Sequence, residues 1–332
     1  MPGLVDLQVN GYAGHDVNGE QGDASDIAAI TALLATAGVT TWVPTIITGS
    51  REKILSCLKR VAKARQDPVV AAAVPYVHVE GPFISELDGP RGAHDLAQVR
   101  PVDADEVAEW NQVTRVGYVT LSPHWPGSAE QITRIVASGT RVAIGHTHCS
   151  PEEVAAAVDA GATMSTHLGN GIFAELPRHP NPIWSQLGDP RLTAGLIGDG
   201  HHLPGEVLEA MVRAKGTKDC FLVSDSAALA GSAPGVYDTP VGGRVELTAD
   251  GRLTLPGTPL LAGSGVNLAQ VVVSTLANTG LTVREVVEMA SVTPSRLLGR
   301  TPAYLQAGAR PDLVTLDESG RVLDVVQQGS LL

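Results

Sequence analysis

Short runs rich in valine, isoleucine and threonine recur along the chain, and amphipathic helical segments separate most of them. Eight runs have the length and composition of a buried strand, at residues 4–9, 40–47, 76–81, 116–123, 141–148, 162–169, 191–200 and 219–226. Parallel strands need a crossover between neighbours, and that crossover is usually a helix. The alternation therefore predicts an α/β fold, a (β/α)8 TIM-like barrel, whose active site forms at the carboxyl ends of the strands.

The pattern changes after residue 229, where turn signals such as ADG, PG and GG separate short strands. Helical segments then return, and the stretch ARPDLVTLDESGRVLDVVQ has the pattern of a β-hairpin. We expect residues 1–300 to form the barrel, with a β excursion near 232–262. Residues 301–332 are expected to form the C-terminal strands of a small, truncated β-subdomain.

The charge and cysteine pattern narrows the class of partner and compartment. The formal net charge is −12, with no cluster of lysine and arginine to offset it, which argues against nucleic acid and membrane surfaces. No apolar run approaches the ~20 residues of a spanning helix, and MPGLVDLQVNG has neither the basic region nor the long apolar region of a signal peptide. Cys57, Cys149 and Cys220 lie far apart without a C-x-x-C spacing, so we expect a cytoplasmic protein.

The ten histidines all fall before residue 203, and most lie at or just beyond strand ends. Any single one could be a structural imidazole, but the set indicates a metal or catalytic site. Glu80, His146 and His167 end three different strands, and a carboxylate with two imidazoles suits Zn²⁺ with an open position for water. For Glu80 the alternative is a salt bridge at the barrel rim.

Two further residues carry the chemistry that such a site needs. Asp225 ends the last strand, where a carboxylate could act as general base, although a helix N-cap is its alternative role. His202, in GDGHHLPGE, could donate to the substrate carbonyl oxygen, and such a donor is worth ~3–4 kcal/mol in the transition state. We expect His201 to point elsewhere and Asp199 to be a turn residue.

Several motifs occur together in a fixed order over almost the whole chain. They are VDLQVNGYAG, HVEGPF, RGAH, GHT, AGAT-x-x-THL-x-N, DGHHL, VSDS, LAGS and TPSRLLG. This set resembles the N-acetylglucosamine-6-phosphate deacetylase family of the amidohydrolase superfamily. The resemblance implies that Glu80, His146 and His167 hold a single divalent metal, that Asp225 is the general base and acid, and that His202 polarises the amide carbonyl.

The resemblance also implies roles for residues around the metal. His94 matches a contact to substrate hydroxyls, Asn170 and Gly171 match the segment that reaches the substrate phosphate, and Arg178 matches a phosphate-binding arginine presented to a neighbouring subunit. A homodimer is therefore expected. Relatives with a second metal carry H-x-H on the first strand, where this chain has the weaker amide ligands of Gln8 and Asn10. These two are expected to support the metal site or to face the substrate.

Four departures from the family pattern limit what the resemblance implies for this chain. The segment at 170–192 is unusual, and its His179 and Trp184 would add an aromatic, less anionic wall. His124, in SPH, replaces a common acidic residue, and His148 stands where relatives commonly carry a small polar residue. Both become second-sphere or substrate-side imidazoles. The family usually carries a further segment before the first strand, which forms half of a small β-sandwich.

These observations leave three functional hypotheses. The first is a metal-dependent amide hydrolase that removes the N-acetyl group of an amino sugar, above all N-acetylglucosamine 6-phosphate, and releases acetate and the free amine. The second is a related amidohydrolase for another N-acyl or cyclic amide. The third is a non-catalytic sugar-binding barrel. A dinucleotide-binding barrel is disfavoured, because no glycine-rich phosphate-binding motif follows the first strand. The metal is expected to be Zn²⁺, but imidazole and carboxylate also accept Fe²⁺, Co²⁺ and Mn²⁺.

Overall fold

The computed structural model describes residues 1–239, 243–257, 261–300 and 311–332. The strands in these ranges are, in chain order, β1 (Leu4–Val9), β2 (Gly11–Tyr12), β3 (His15–Asp16), β4 (Val39–Ile47), β5 (Val77–Glu80), β6 (Val116–Leu121), β7 (Arg141–Ile144), β8 (Met164–Ser165), β9 (Thr193–Ile197), β10 (Cys220–Val223), β11 (Gly235–Thr239), β12 (Gly243–Leu247), β13 (Leu253–Thr254), β14 (Leu313–Leu316), β15 (Val322–Gln327) and β16 (Ser330–Leu331).

The α-helices in the same ranges are α1 (Ala24–Thr36), α2 (Arg51–Ala64), α3 (Pro68–Ala73), α4 (Ala104–Val113), α5 (Ser128–Ala137), α6 (Pro151–Asp159), α7 (Pro182–Gly188), α8 (Gly205–Lys215), α9 (Leu268–Asn278), α10 (Val283–Val287) and α11 (Thr293–Leu297). Short 3₁₀ turns span Leu96–Gln98 and Thr217–Asp219, and a π-helical turn spans Glu288–Val292.

Eight strands form one sheet in the order β1-β4-β5-β6-β7-β8-β9-β10. A parallel bridge joins Val9 to Ser226, and the Asn10 N–H donates to the carbonyl of Ser226 at 2.9 Å, so β10 also neighbours β1. This cyclic order, with helices between most strands, confirms the predicted (β/α)8 barrel.

The described chain divides into two compact units. The first comprises residues 1–44, 63–75 and 197–332, and it contains β1, β10 and the two later antiparallel sheets. Its buried core includes Trp42, whose indole N–H donates to Thr31 Oγ1 at 3.1 Å. The second comprises residues 45–62 and 76–196, with β5 to β8. Trp110 stacks on Phe83 in its interior.

Two small antiparallel sheets follow β10 within the first unit. Strands β11, β12 and β13 lie inside the expected excursion at 232–262, although residues 240–242 and 258–260 fall outside the described ranges. Strands β14, β15 and β16 form the second sheet, and the Gly3 N–H donates to the carbonyl of Asp312 at 2.9 Å. The expected boundary at residue 300 stays a prediction, because residues 301–310 also lie outside those ranges.

The strands are shorter at their carboxyl ends than the sequence predicts. The expected strands at 141–148 and 162–169 end at Ile144 and Ser165, because the histidines that follow adopt a left-handed backbone. Helix α7 lies within the segment at 170–192 that departs from the family pattern. Its start is capped by Asn181, whose side chain accepts the N–H groups of Ile183 and Trp184, with proline at the first helical position.

The cysteines and the length and apolarity of the helices can be compared with the expectations from the sequence. Cys57, Cys149 and Cys220 are buried and none forms a disulfide. Burial raises the pKa of Cys149 and of Cys220 to about 12, so both thiols stay protonated near neutral pH. Among the described residues, no helix has the length and apolarity needed to cross a bilayer.

Candidate active site

Four buried side chains of the second unit converge just beyond the strand ends. Glu80 ends β5, His94 lies in the loop after it, and His146 and His167 follow β7 and β8. Glu80 Oε1 lies 3.0 Å from His167 Nε2 and 3.4 Å from His146 Nε2. His146 Nε2 lies 3.1 Å from His167 Nε2 and 3.3 Å from His94 Nε2. The three expected ligands therefore lie together, and His94, expected to contact substrate, joins them.

The hydrogen bonds of two rings fix which nitrogen carries the proton. His146 Nδ1 lies 2.9 Å from the carbonyl oxygen of Pro90, which can only accept, so Nδ1 is the donor. His94 Nδ1 lies 2.8 Å from Thr48 Oγ1, whose one hydrogen is donated to the carbonyl of Glu80, so this Nδ1 also donates. The Nε2 atoms of His94 and His146 lie 3.3 Å apart. When both rings are neutral, these two nitrogens point their lone pairs at each other. A cation between them relieves that repulsion, so the cluster fits a divalent metal.

The protonation states of Glu80 and His94 are those of metal ligands. Burial opposes ionisation of Glu80, but the imidazoles of His146 and His167 beside it outweigh burial and hold its pKa well below the usual range. Burial, with His146 nearby, lowers the pKa of His94 to about 3. An ionised carboxylate and neutral imidazoles are the forms that bind metal.

Three expected site residues share an uncommon backbone conformation. The φ angles are 47° at His146, 28° at His167 and 50° at Asp225, all in the left-handed region. Non-glycine residues rarely adopt it, and it persists where surrounding contacts enforce it, often at functional sites. Each of these turns redirects the side chain that follows a barrel strand.

A glycine packs against the His146 ring. A Cβ on Gly171 would lie 2.9 Å from His146 Nδ1, and the Gly171 carbonyl accepts the Thr147 N–H at 3.0 Å. The expected contact of Gly171 with phosphate stays a prediction, and its described contacts are with the His146 ring and Thr147. The neighbouring Asn170 has a buried side-chain nitrogen, Nδ2, with no hydrogen bond from the described residues.

Asp225, in the first unit, is held by two side-chain amides. Gln8 Nε2 donates to Asp225 Oδ1 at 3.0 Å, and Asn10 Nδ2 donates to the same oxygen at 2.8 Å. The two amides on the first strand therefore orient a carboxylate. Asp6 lies fully buried two residues before Gln8, and its carboxylate accepts the backbone N–H groups of Gln8 and Ser224.

His202 is oriented by Asp199, for which the sequence indicated only a turn. Asp199 Oδ1 accepts the backbone N–H groups of His201 and His202, and Oδ2 lies 2.7 Å from His202 Nδ1. Burial raises the pKa of Asp199, but the His202 interactions outweigh it and the net pKa is lowered. The ionised carboxylate therefore accepts the Nδ1 proton of His202. His201 Nε2 instead lies 3.1 Å from the carbonyl oxygen of Asp250.

Two other expected substrate-side imidazoles form a separate group in the second unit. His124 Nε2 lies 3.0 Å from Glu86 Oε2, and the rings of His124 and His148 are 4.1 Å apart. Ser122 Oγ lies 2.6 Å from His124 Nδ1, and Ser85 Oγ lies 2.6 Å from His148 Nδ1. Burial and His148 lower the pKa of His124, while Glu86 acts in the opposite direction. Glu86 was not predicted as a site residue, because no motif or spacing in the sequence singles it out.

Three further residues that the sequence analysis considered, Arg178, His179 and Trp184, lie at the surface. Arg178 and His179 are exposed, and Trp184 is 54% exposed. Two aromatic residues lie beside the imidazoles of His124 and His148: the ring centroid of Trp125 is 4.5 Å from that of His124, and the ring centroid of Phe173 is 6.4 Å from that of His148. His78 has a structural role, because Thr45 and Thr120 hydroxyls contact its two ring nitrogens in the core.

Comparison with known proteins agrees with this geometry. A sequence model of the Amidohydrolase family matches residues 1–332. The N-acetylglucosamine-6-phosphate deacetylase of Mus musculus is 32% identical over 100% of this chain and 82% of its own. The N-acetylgalactosamine-6-phosphate deacetylase of Escherichia coli O157:H7 is 32% identical over 99% of this chain and 86% of its own. The crystal structure of N-acetyl-D-glucosamine-6-phosphate deacetylase from Mycobacterium smegmatis has a TM-score of 0.89 at 30% identity, covering 100% of this chain and 86% of that chain. These matches confirm the resemblance inferred from the motifs.

The packing of Gly171 yields a prediction about metal retention. Gly171→Ala places a Cβ 2.9 Å from His146 Nδ1, so the ring must move and its bond to Pro90 must lengthen. We expect a lower metal-to-protein ratio by inductively coupled plasma mass spectrometry, with cooperative unfolding retained. Gly127→Ala is the control, because Gly127 also has a positive φ but open space around its Cβ position. Equal metal content in both variants and the wild type would contradict the packing argument.

The buried Asp6 predicts a pH-dependent stability. Burial raises its pKa to about 7, hydrogen bonds from Ser224 and Gln8 oppose the rise, and the Asp225 charge adds to it. The folded state then holds this proton more tightly than the unfolded state, so the free energy of unfolding falls between about pH 4 and pH 7, by up to ~4 kcal/mol. Asp6→Asn should remove that fall in urea titrations, whereas Asp105→Asn, at an exposed carboxylate, should keep the wild-type slope. Parallel curves for wild type and Asp6→Asn would refute the assignment.

Proposed function

Because the chain belongs to the amidohydrolase family, we propose that it hydrolyses the acetamido bond of an N-acetylhexosamine 6-phosphate. The products are acetate and the free amino sugar. The observation that carries the proposal is the buried approach of Glu80 Oε1 to the Nε2 atoms of His146 and His167, at 3.4 and 3.0 Å. The family match over the whole chain supplies the reaction class.

In this proposal Glu80, His146 and His167 hold one divalent ion, Zn²⁺ in the first instance, and Fe²⁺, Co²⁺ or Mn²⁺ suit the same donors. When bound, such an ion supplies Lewis-acid polarisation of the amide carbonyl and lowers the pKa of water. Pro90 fixes the His146 tautomer through Nδ1. His94 contacts a substrate hydroxyl, and its 3.3 Å approach to His146 also makes it an alternative ligand.

Asp225 moves the proton in the proposed reaction. It takes a proton from the attacking water as the oxygen adds to the acetyl carbon, and it delivers that proton to the leaving nitrogen as the C–N bond breaks. Gln8 and Asn10 support this role, because their amides hold Oδ1 and fix the orientation of the carboxylate.

His202 stabilises the carbonyl oxygen as negative charge develops on it. The Nδ1–H of His202 donates to Asp199. A second donor at Nε2 therefore requires the imidazolium form, and the ionised Asp199 stabilises its positive charge. The pair resembles the carboxylate–histidine arrangements that orient catalytic imidazoles in other enzymes. Donation from a charged group is stronger than from a neutral one.

The substrate-binding roles are also proposals. Asn170 reaches the sugar phosphate, which the unused Nδ2 donor supports, with Gly171 beside it. Arg178 is exposed, and we propose that it binds the phosphate in a neighbouring subunit of a homodimer. Relatives named for the glucosamine and the galactosamine phosphates are equally similar, so either epimer suits the proposal. The cysteine pattern, with Cys57, Cys149 and Cys220 all buried, supports a cytoplasmic location.

Asp225→Asn tests the proton transfer. The amide keeps the shape but cannot accept the proton, so kcat should fall by about 10²–10⁴-fold while metal content stays at the wild-type level. Acetate release is measured beside metal analysis. Asp219→Asn is the matched control, because Asp219 precedes β10 at the opposite end of that strand and is exposed. An Asn variant with wild-type kcat would remove Asp225 from the mechanism.

A substrate panel tests the phosphate assignment. Acetate release is compared for N-acetylglucosamine and N-acetylgalactosamine, each with and without the 6-phosphate. Arg178→Ala should raise KM for the phosphorylated sugars by about 10–100-fold, because a charge-assisted bond is lost, and should leave the free sugars unaffected. Arg191→Ala, another exposed arginine, should change neither. Preference for free sugars in the wild type would favour a related amidohydrolase with another N-acyl substrate.

A further inference from the structure

Glu86, His124 and His148 form a second group of metal-ligating side chains in the second unit. They follow three successive strands, β5, β6 and β7. One ligand atom from each lies within 4.8 Å of the other two. None of the three belongs to the cluster of Glu80 with His94, His146 and His167.

Hydroxyl groups anchor both rings of this second group through the same ring nitrogen. Ser122 Oγ contacts His124 Nδ1, and Ser85 Oγ contacts His148 Nδ1, each at 2.6 Å. Ligating imidazoles commonly have the other ring nitrogen held in this way. With both Nδ1 atoms engaged, each ring has Nε2 as its remaining ligand atom. His124 Nε2 already lies 3.0 Å from Glu86 Oε2.

The donor set and its exposure suit a borderline divalent cation. Two imidazoles and one carboxylate are ligands for Zn²⁺ and Co²⁺. The His124 side chain is 9% exposed and that of Glu86 is 41% exposed, so solvent reaches the carboxylate and water can complete the coordination. The same residues fit a hydrolytic triad of Ser122, His124 and Glu86 less well than a metal site. Ser122 is fully buried, so a substrate cannot reach it, and its hydroxyl contacts Thr147 Oγ1 at 2.7 Å.

The second group is connected to the first through one segment and one serine. His146 and His148 stand two residues apart, and each belongs to a different group. The Ser85 N–H donates to the carbonyl of His146 at 2.8 Å, while the Ser85 hydroxyl contacts the His148 ring. We propose that Glu86, His124 and His148 bind a second divalent cation, more weakly than the buried cluster because the group is partly exposed.

The proposal is tested by zinc stoichiometry in the full chain. Metal-free protein is titrated with Zn²⁺ alone and followed by calorimetry, with inductively coupled plasma mass spectrometry after equilibrium dialysis. The wild type should bind two equivalents, the second more weakly. Glu86→Gln and His124→Gln should lose the weaker equivalent and keep the tighter one, whereas Glu80→Gln should lose the tighter one and keep the weaker. His15→Gln, at a surface imidazole 2.8 Å from Asp26, should keep both.

A second variant leaves every ligand in place. Ser122→Ala removes the anchor of His124, and loss of such a partner should weaken the second equivalent by about 10–100-fold. A single equivalent in the wild type overturns the proposal, as does a weaker equivalent that survives both Glu86→Gln and Ser122→Ala unchanged. The readout is separate from acetate release, so the deacetylase assignment can fail while the second site stands, or the reverse.

Discussion

An ionised carboxylate buried among imidazoles is the constraint around which the second unit is arranged. Glu80 is 3% exposed, and removing a carboxylate from water costs several kcal/mol unless nearby groups compensate it. His146 and His167 provide that compensation within 3.4 Å, but two of the surrounding rings then oppose their lone pairs. A divalent cation bound between these rings would remove the repulsion.

The proposed acid–base residues of the first unit, Asp225 and His202, are oriented by other side chains: neutral amides in one case and a carboxylate in the other. The side-chain amides of Gln8 and Asn10 donate to one oxygen of Asp225 and fix its orientation. Asp199 accepts from Nδ1 of His202 and fixes the orientation of that ring. The amides of Gln8 and Asn10, at the carboxyl end of β1, therefore orient the carboxylate that we propose as the proton acceptor.

The positions of the strands could be predicted, as could the proximity of Glu80, His146 and His167, because periodicity and strand ends indicate which residues reach the barrel rim. Backbone torsions could not, since nothing in GHTHC distinguishes an extended residue from the left-handed His146. Partners distant in sequence were also missed: Pro90 lies 56 residues from the ring it fixes, and Glu86 lies 38 residues from His124. Such pairs depend on how the strands are juxtaposed, and a single sequence does not record that.

The pairing of residues 1–3 with the strand at 313–316 has a consequence for biosynthesis. The amino group of Met1 donates to the carbonyl of Val314 across 313 residues, and β1 also pairs with the segment after β10. Loop closure over so many residues is slow and entropically costly. On the ribosome the first strand therefore waits, with one of its edges uncovered, until its late partners have been synthesised. Protection of that edge in the nascent chain is thus a requirement of the topology itself.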